Sequence, residues 1–389
     1  MKGRQNSSGH PKPGFRPNKV PYDIPFPNNM GVIRYNLALA VIVEHFNILT
    51  GGDIYFPFTS YQAVGGFFTL SGFLIYGSYL KKRKFLPYIT SRMIRLLPAY
   101  FFVVLAFAVG LVGVSSLPPG EYFINSGFWK YLAANLSFMN FLQPSLPGVF
   151  EGFEVPAVNG SLWTLKVEWM LYLSVPLTVW IIGKFRHRAT ITFVIIFAVS
   201  VAYGILFRYL YVETGKQIYE ILGRQMFGQL SFFYCGVMVY KWFDVFMRYR
   251  WYLIAVAAAW FLVTTHGDYQ AILFDPIAFT ILVIGFSMIG KWGTWEGKHD
   301  NVSYNMYLVH FPVCQLVAYF GLMSLLGQWE CFAIVIAVTF AISVIMNHFI
   351  EKPVQKAAKK WLKSRPTNGK PRLKAVSAPY GRCLFRVAQ

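Results

Sequence analysis

Two ionisable residues near the start of the chain are spaced so that they can act on one molecule. Arg34 and His45 lie eleven positions apart in a mostly apolar stretch. On a helix, at about 100° per residue, they would share a face and stand about 16 Å apart along the axis. Arginine binds phosphate well and histidine is a common general base. The spacing therefore suits a phosphate-bearing cofactor with a long arm, such as coenzyme A, held at Arg34 with its reactive end near His45. In the alternative interpretation, Arg34 anchors the helix at the membrane interface and His45 is a hydrogen-bonded packing residue.

The elements that must position these residues are predicted to be membrane helices. Of the 389 residues, 13% are charged and 56% are hydrophobic, and the mean hydropathy is +0.44. Soluble domains carry roughly a quarter charged residues. This chain therefore lacks the polar surface of a soluble nucleic-acid-binding protein, in spite of its net charge of +20. We expect an all-α polytopic membrane protein that does not bind nucleic acid.

Apolar runs of about 20 residues, long enough to cross a bilayer, predict three regions. Residues 1–32 are expected to form a flexible, basic and proline-rich cytoplasmic arm, residues 33–353 a ten-helix membrane domain, and residues 354–389 a basic, disordered cytoplasmic tail. A shorter apolar segment at 131–143 is expected to be interfacial or re-entrant. The ten predicted spans lie at about 33–50, 63–80, 96–114, 163–183, 190–207, 226–243, 251–264, 272–290, 301–325 and 331–350.

The distribution of basic residues predicts the orientation of these spans. With both termini in the cytoplasm, thirty of the 36 lysines and arginines fall on inner segments and four on outer loops. This is the bias of the positive-inside rule. We therefore expect a multi-pass protein of the inner or plasma membrane, with both termini cytoplasmic.

A basic cluster follows the second span, in the segment KKRKFLPYITSRMIRLLPAYFF. Its simplest role is to set the topology and to contact the head groups of membrane lipids. Arg92 and Arg95 can also clamp the phosphates of coenzyme A, because guanidinium groups bind phosphate through two hydrogen bonds. No His, Asp, Glu or Cys cluster has the spacing of metal ligands, so no metal is predicted.

The motifs together resemble the acyltransferase-3 family of membrane-bound acyltransferases over roughly residues 33–353. The resemblance implies ten spans and O-acylation of an extracytoplasmic glycan, lipopolysaccharide or other hydroxylated acceptor, usually from acyl-CoA. The C-terminal SGNH hydrolase-like domain of some members is not expected here. The matching segments are the Arg-x10-His of the first span, GGFFTLSGFLIYGSYL, the basic cluster, SLWTLKVEWMLYLSVPL, VSYNMYLVHFPV and HFIEKPVQK.

The resemblance also implies roles for single residues. It makes His45 a general base assisted by Glu168, and it makes Arg34, Arg92 and Arg95 ligands of the donor's phosphates. The predicted spans place His45 and Glu168 at a similar depth, roughly 8–9 Å below the outer surface. A carboxylate near a histidine can fix its tautomer and stabilise the imidazolium.

Four further residues within the spans are candidates for contacts with substrate or with a donor tunnel. On a helix, the side chain of Glu44 points about 100° away from that of His45. Glu44 can therefore orient a different group or pair with a basic residue elsewhere. Ser71 can be a nucleophile or a substrate contact, although small residues in spans more often permit close helix packing. Tyr307 and His310 lie on adjoining faces of the ninth span. They can line the tunnel or serve a proton path, but a satisfied histidine at a helix interface is an equal alternative.

The expected function is therefore that of an O-acyltransferase with acetyl-CoA as donor and a glycan or glycolipid as acceptor. The outer loop 115–162 is a candidate for acceptor binding, because it combines aromatic side chains, which suit sugar rings, with Glu121, Glu151 and Glu154. The alternative is a proton-coupled transporter or flippase that uses the same intramembrane charges. The lack of an internal repeat disfavours transport.

Overall fold

A computed structural model describes residues 28–184, 189–263, 268–290 and 302–364, and within these ranges the chain forms helices and no strands. The predicted all-α polytopic class is confirmed. Short helices join and cap the long ones: α4 (Pro119–Ile124), α5 (Ser126–Leu136), α8 (Gln217–Gly223), α13 (Leu322–Leu325) and α15 (Lys352–Ser364). The long helices are α1 (Met30–Thr50), α2 (Ser60–Lys82), α3 (Phe85–Gly110), α6 (Trp163–Lys184), α7 (Ala189–Thr214), α9 (Met226–Lys241), α10 (Phe243–Val263), α11 (Asp268–Ser287), α12 (Ser303–Tyr319) and α14 (Gln328–Met346).

Each of the ten predicted spans coincides with one of these long helices. In the described part of the chain, eight helices are long and apolar enough to cross a membrane. The other two, α9 and α12, have 16 and 17 residues. Most of their side chains are buried by neighbouring helices, which is how helices at the centre of a bundle differ from those facing lipid. The number of helices that cross the bilayer and the side of the termini stay predictions.

The tightest packing in the bundle joins α2 to α9. Helix α2 is the most buried of the eight candidate spans. A Cβ atom added to Gly72 would lie 2.0 Å from the carbonyl oxygen of Phe233, and one added to Gly236 would lie 2.1 Å from that of Thr69. The two backbones therefore touch directly, as small residues allow in membrane bundles.

The ends of the first two helices are defined by local hydrogen bonds. Thr59 and Gln62 form a reciprocal capping box at the start of α2. Helix α1 ends where Gly51 adopts a left-handed conformation (φ 74°), and its N–H bonds back to the carbonyl of Asn47. This stops α1 five residues after His45.

The outer loop is folded rather than extended. The predicted interfacial segment 131–143 contains the end of α5, which lies against α3: the hydroxyl of Tyr100 donates to the carbonyl of Asn135 at 2.6 Å. In the same way, the hydroxyl of Tyr122 in α4 donates to the carbonyl of Ala108 at 2.6 Å. The loop therefore forms a fixed cap over the end of α3.

The two terminal regions begin and end differently from their predicted bounds. Met30 to Val32, assigned to the flexible arm, already belong to α1. The start of the tail, predicted to be disordered, forms α15, which continues α14 through a π-helical turn at Asn347–Glu351. The physical reason is helical spacing, since Val354, Trp361 and Leu362 recur on one side while lysines occupy the rest. Residues 1–27 and 365–389 of the predicted arm and tail lie outside the described residues.

Candidate active site

The histidines of the first and ninth predicted spans meet where α1 packs against α12. Nδ1 of His45 lies 2.8 Å from Nε2 of His310, and the two rings stack with centroids 5.0 Å apart. The ring of Phe311 contacts His45 edge-on, with its centroid also 5.0 Å away. His310 is fully buried and His45 half-buried. The structure thus pairs the predicted base with a residue predicted to line a tunnel, to serve a proton path or to be a satisfied histidine at a helix interface.

The hydrogen bonds of this pair determine which ring nitrogens carry protons. Nδ1 of His310 lies 3.2 Å from the carbonyl oxygen of Met306, one turn earlier in α12. A carbonyl only accepts, so Nδ1 of His310 holds the proton and its Nε2 holds a lone pair. Nδ1 of a neutral His45 must then donate to that lone pair. The Nε2 atom of His45 is left unprotonated, which is the form a general base requires.

A narrow cavity of about 130 Å³ lies among α1, α2, α3, α6 and α12. Its wall follows α2 from Val64 to Ile75, eleven positions or about 16 Å of helix. Arg34 lines this cavity, whereas His45 and His310 are not among its described lining residues. The cavity brings together five residues that the sequence singled out, namely Arg34, Ser71, Arg95, Glu168 and Tyr307.

Glu168 lies in the wall of this cavity and not beside His45. One oxygen, Oε1, accepts hydrogen bonds from the hydroxyl of Ser71, at 3.3 Å, and from the hydroxyl of Tyr172. The expected arrangement, with Glu168 orienting His45, is therefore not the one found. The orienting partner is His310, because α12 rather than α6 packs against α1. A catalytic role for Glu168 stays a prediction.

Tyr307 connects the cavity to the histidine pair. It lines the cavity, and its ring centroid lies 5.8 Å from that of His310. Its hydroxyl is 3.0 Å from Oγ1 of Thr164 at the start of α6. A ligand that fills the cavity therefore comes within one side chain of His310.

The three arginines differ in their relation to the cavity. Arg34 is half-buried and Arg95 exposed, and both contribute to the lining. Arg92 stands behind the lining, where its Nη2 donates to Oγ of Ser78 at 3.4 Å. Arg92 and Arg95 both lie close enough to Glu168 to act on its charge. The cavity thus has positive side chains at one end and a carboxylate in its wall.

Two of the weaker candidates, Glu44 and Ser71, differ in what they contact. Glu44 accepts hydrogen bonds from the backbone N–H and the hydroxyl of Ser60, the first residue of α2. A carboxylate at a helix N-terminus is stabilised by the helix dipole, so this contact ties α1 to α2. In the LSGFL segment, Ser71 faces the cavity and Gly72 faces α9. Packing and site lining are therefore divided between two adjacent residues.

The sequence interpretation missed several polar residues that line the cavity. Tyr172 follows Glu168 by four positions, and this one-turn spacing was a readable signal that they share a face. Thr164 had no such signal, because its partner lies 143 positions away. Ser303 and Tyr304 also line the cavity. Within the described ranges, no three His, Cys, Asp or Glu side chains are grouped so that they can hold a metal ion.

Known proteins resemble this chain in sequence. The sequence profile of the acyltransferase-3 family, described as an acyltransferase domain, matches residues 28–348. Nodulation protein 10 of Rhizobium leguminosarum bv. viciae is 22% identical over 351 residues, which cover 85% of this chain and 93% of that protein. No solved structure gives a significant match.

Proposed function

The chain belongs to the acyltransferase-3 family and is a membrane acyltransferase, and from this premise we propose which groups it transfers. The donor is acyl-CoA, in the first instance acetyl-CoA, which enters from the cytoplasm. The acceptor is a hydroxyl of an extracytoplasmic glycan or glycolipid. His45 is the general base. The protein resides in the inner or plasma membrane with both termini in the cytoplasm.

The shape and charge of the cavity support the donor assignment. A volume of about 130 Å³ is small beside the ~300–1,000 Å³ of typical ligand pockets. Only a slender group fits, and the pantetheine arm of coenzyme A is slender. Arg34 and Arg95 lie at the end that the charge distribution places on the cytoplasmic side, where they bind the phosphates. Arg92 reinforces the positive field from behind.

The hydrogen bond between His45 and His310 supports the base assignment and is the observation that carries the proposal. His45 offers a lone pair at Nε2, and His310 holds the ring in that tautomer. When the acceptor hydroxyl approaches the thioester carbonyl, Nε2 of His45 takes its proton. The oxygen forms the new ester bond, the carbon–sulfur bond breaks, and the imidazolium of His45 returns the proton to the sulfur, so that coenzyme A leaves as a thiol and His45 is neutral again.

Glu168 is proposed to assist from the cavity wall. It is hydrogen-bonded by Ser71 and Tyr172 and lies near Arg95. In this position it holds two hydroxyl groups and an arginine against the donor arm. Its effect on His45 is then indirect, through the position of the thioester.

The test is transfer of label by the purified protein in liposomes supplied with radiolabelled acetyl-CoA and a cell-envelope glycan fraction. The expected result is time-dependent appearance of base-labile label in the glycan, as an ester requires. A protein that neither binds nor consumes any acyl-CoA, and instead takes up a solute together with protons, would show the alternative transporter function.

A further inference from the structure

A second cavity opens at the C-terminal ends of α1 and α12, the ends that the charge distribution places outside the membrane. Its volume is about 400 Å³, three times that of the narrow cavity. The end of α1, the end of α12, α13 and the loop segment Phe153–Val155 form its walls. We call it the outer groove. Its polar lining residues are Thr50, Glu154, Gln315 and Ser324.

The outer groove lies farther along the same two helices that carry the histidine pair. Thr50 follows His45 by five positions on α1, and Gln315 follows His310 by five positions on α12. Five residues of helix rise by about 7.5 Å. These two lining residues of the groove therefore stand about 7.5 Å farther along α1 and α12 than the histidine pair.

Gln315 presents a buried acceptor that lacks a partner. Its side chain is fully buried, and Nε2 donates to the carbonyl oxygens of Val155 and Ala157 at 2.6 and 2.9 Å. Those two carbonyls fix the amide orientation, since only the NH₂ group can donate to them. Its Oε1 atom has no hydrogen-bond partner among the described residues. Buried acceptors normally have a donor. The unpartnered Oε1 atom therefore suggests a ligand that supplies an O–H or N–H group.

The other polar groups of the groove also favour a ligand that donates hydrogen bonds. The hydroxyls of Thr50 and Ser324 already donate to the carbonyls of Phe46 and Gly321. Their remaining lone pairs, like the exposed carboxylate of Glu154, can only accept. No lysine or arginine is among the lining residues. The groove thus offers acceptors to a neutral molecule rich in hydroxyl groups and does not favour an anionic one.

An apolar surface completes the groove. Phe153 lies in its wall, half-buried, with its ring stacked on Phe150 at a centroid distance of 5.9 Å. An aromatic face held in place by a second ring, beside hydrogen-bond acceptors, suits the apolar face of a sugar ring. The loop expected from its composition to contact the acceptor contributes this surface.

We propose that the outer groove binds the acceptor as a neutral oligosaccharide, with Gln315 accepting a hydroxyl and Phe153 packing against a ring. This inference rests on the proposed function, because it names the substrate class and the binding residues of the same reaction. The bound sugar directs one hydroxyl down between α1 and α12 toward Nε2 of His45.

Binding is tested without any acyl donor. In nanodisc-embedded protein carrying Ser324→Cys and Cys383→Ser, a membrane-impermeant maleimide labels the new thiol, because Cys235, Cys314 and Cys331 are buried. Millimolar maltotetraose, cellotetraose or the tetramer of N-acetylglucosamine should slow labelling at least ~threefold, whereas an oligogalacturonate should not. If no neutral tetrasaccharide slows labelling, or only the anionic one does, the proposal is overturned.

Two variants tie the protection to the proposed contacts. Gln315→Leu should abolish protection, and in the transfer assay it should raise KM for the glycan about tenfold, as for one lost hydrogen bond, with KM for acetyl-CoA unchanged. Gln229→Leu is its matched control, since Gln229 is equally buried in α9 and away from the groove. If Gln315→Leu does not fold, Glu154→Leu at the exposed rim, which removes an acceptor, is compared with Glu121→Leu in the same loop. Equal protection in Glu154→Leu, Glu121→Leu and the parent protein contradicts the proposal.

The two hypotheses fail separately in these experiments. Sugar protection without label transfer from acetyl-CoA leaves the groove assignment intact and refutes the acyltransfer scheme. The opposite result is transfer to a glycan with a KM that variants of Gln315 and Glu154 leave unchanged, and no protection of the thiol by sugars. It supports the acyltransfer scheme and refutes the assignment of the outer groove.

Discussion

His45, His310 and the Met306 carbonyl form a short hydrogen-bonded series. Because the carbonyl only accepts, we infer that Nδ1 of His310 donates to it and that Nδ1 of His45 donates to Nε2 of His310. A proton taken up at Nε2 of His45 makes an imidazolium whose Nδ1–H already points at the lone pair of His310. Hydrogen bonds of this kind are strong where water is excluded. At the scale of single residues, the proposed mechanism therefore makes His310 a positioning residue for the base and not a second base.

Replacing His310 tests this positioning role. His310→Phe keeps a ring in the interface but removes the acceptor, so His45 loses its fixed tautomer. We expect kcat for acetyl transfer to fall at least ~tenfold, with KM for acetyl-CoA within about twofold. His310→Gln restores an acceptor near the same place and should recover part of the loss. The measurement is the initial rate of acetyl transfer by the wild type, His310→Phe and His310→Gln. A wild-type kcat in His310→Phe would contradict the positioning role.

The role of Arg34 is tested by measuring KM for the donor, acetyl-CoA. Arg34→Gln removes a charged hydrogen-bond donor from the end of the narrow cavity, and KM for acetyl-CoA should rise about tenfold or more. Lys130→Gln, in the predicted outer loop, is the control and should leave KM unchanged. If Arg34 is only an interface anchor, the variant will lose folded protein while the remaining enzyme keeps its KM.

At the scale of helices, the site depends on the contact between α2 and α9. Glycines 72 and 236 let the backbones touch, and this contact fixes the position of α2, whose opposite side lines the cavity through Ser71. Close packing of this kind tolerates no added volume.

Gly72→Ala is expected to destabilise the protein strongly. The new methyl group would overlap the Phe233 carbonyl, and overpacking against a backbone costs at the upper end of the usual ~1–3 kcal/mol. Thermal unfolding in detergent should show a clearly lower Tm. Gly110→Ala, where nothing lies within 4 Å of the added carbon, should leave Tm unchanged. Equal Tm values for the two variants would mean that α2 and α9 are not in backbone contact.

The positions of the helices were predictable from sequence, whereas their neighbours were not. Long apolar runs predict helices because lipid leaves backbone groups no other partner, and Arg34 and His45 share α1 as expected. His45 and His310 are 265 positions apart, and the buried helices α9 and α12 are apolar on most faces. The hydrophobic periodicity of these helices therefore does not predict which helix packs against which. This is why Glu168, rather than His310, was the expected partner of His45.

At the scale of the whole molecule, most basic residues fall in segments that are predicted to lie on the cytoplasmic side. The sorting predicts an arrangement in which the donor cavity with its arginines opens inward and the outer groove opens outward, with the histidine pair between them. A reaction between a cytoplasmic donor and an external acceptor needs such a two-sided path.

Topology is checked by reporter fusions at residues 140 and 187. Residue 140 lies in the loop expected outside, and residue 187 in a short basic loop expected inside. A periplasmically active reporter should work only at the first position and a cytoplasmically active one only at the second. The same reporter working at both positions would contradict the ten-span arrangement.

The most direct test of the central claim is the rate of label transfer from acetyl-CoA to glycan by the His45→Ala protein. His348→Ala, which removes an exposed histidine of the π-helical turn, serves as the matched control. Loss of the base should lower kcat by roughly 10²–10⁴-fold while the protein remains folded and binds acetyl-CoA, and the control should keep full activity. Transfer by His45→Ala at the wild-type rate would contradict the account.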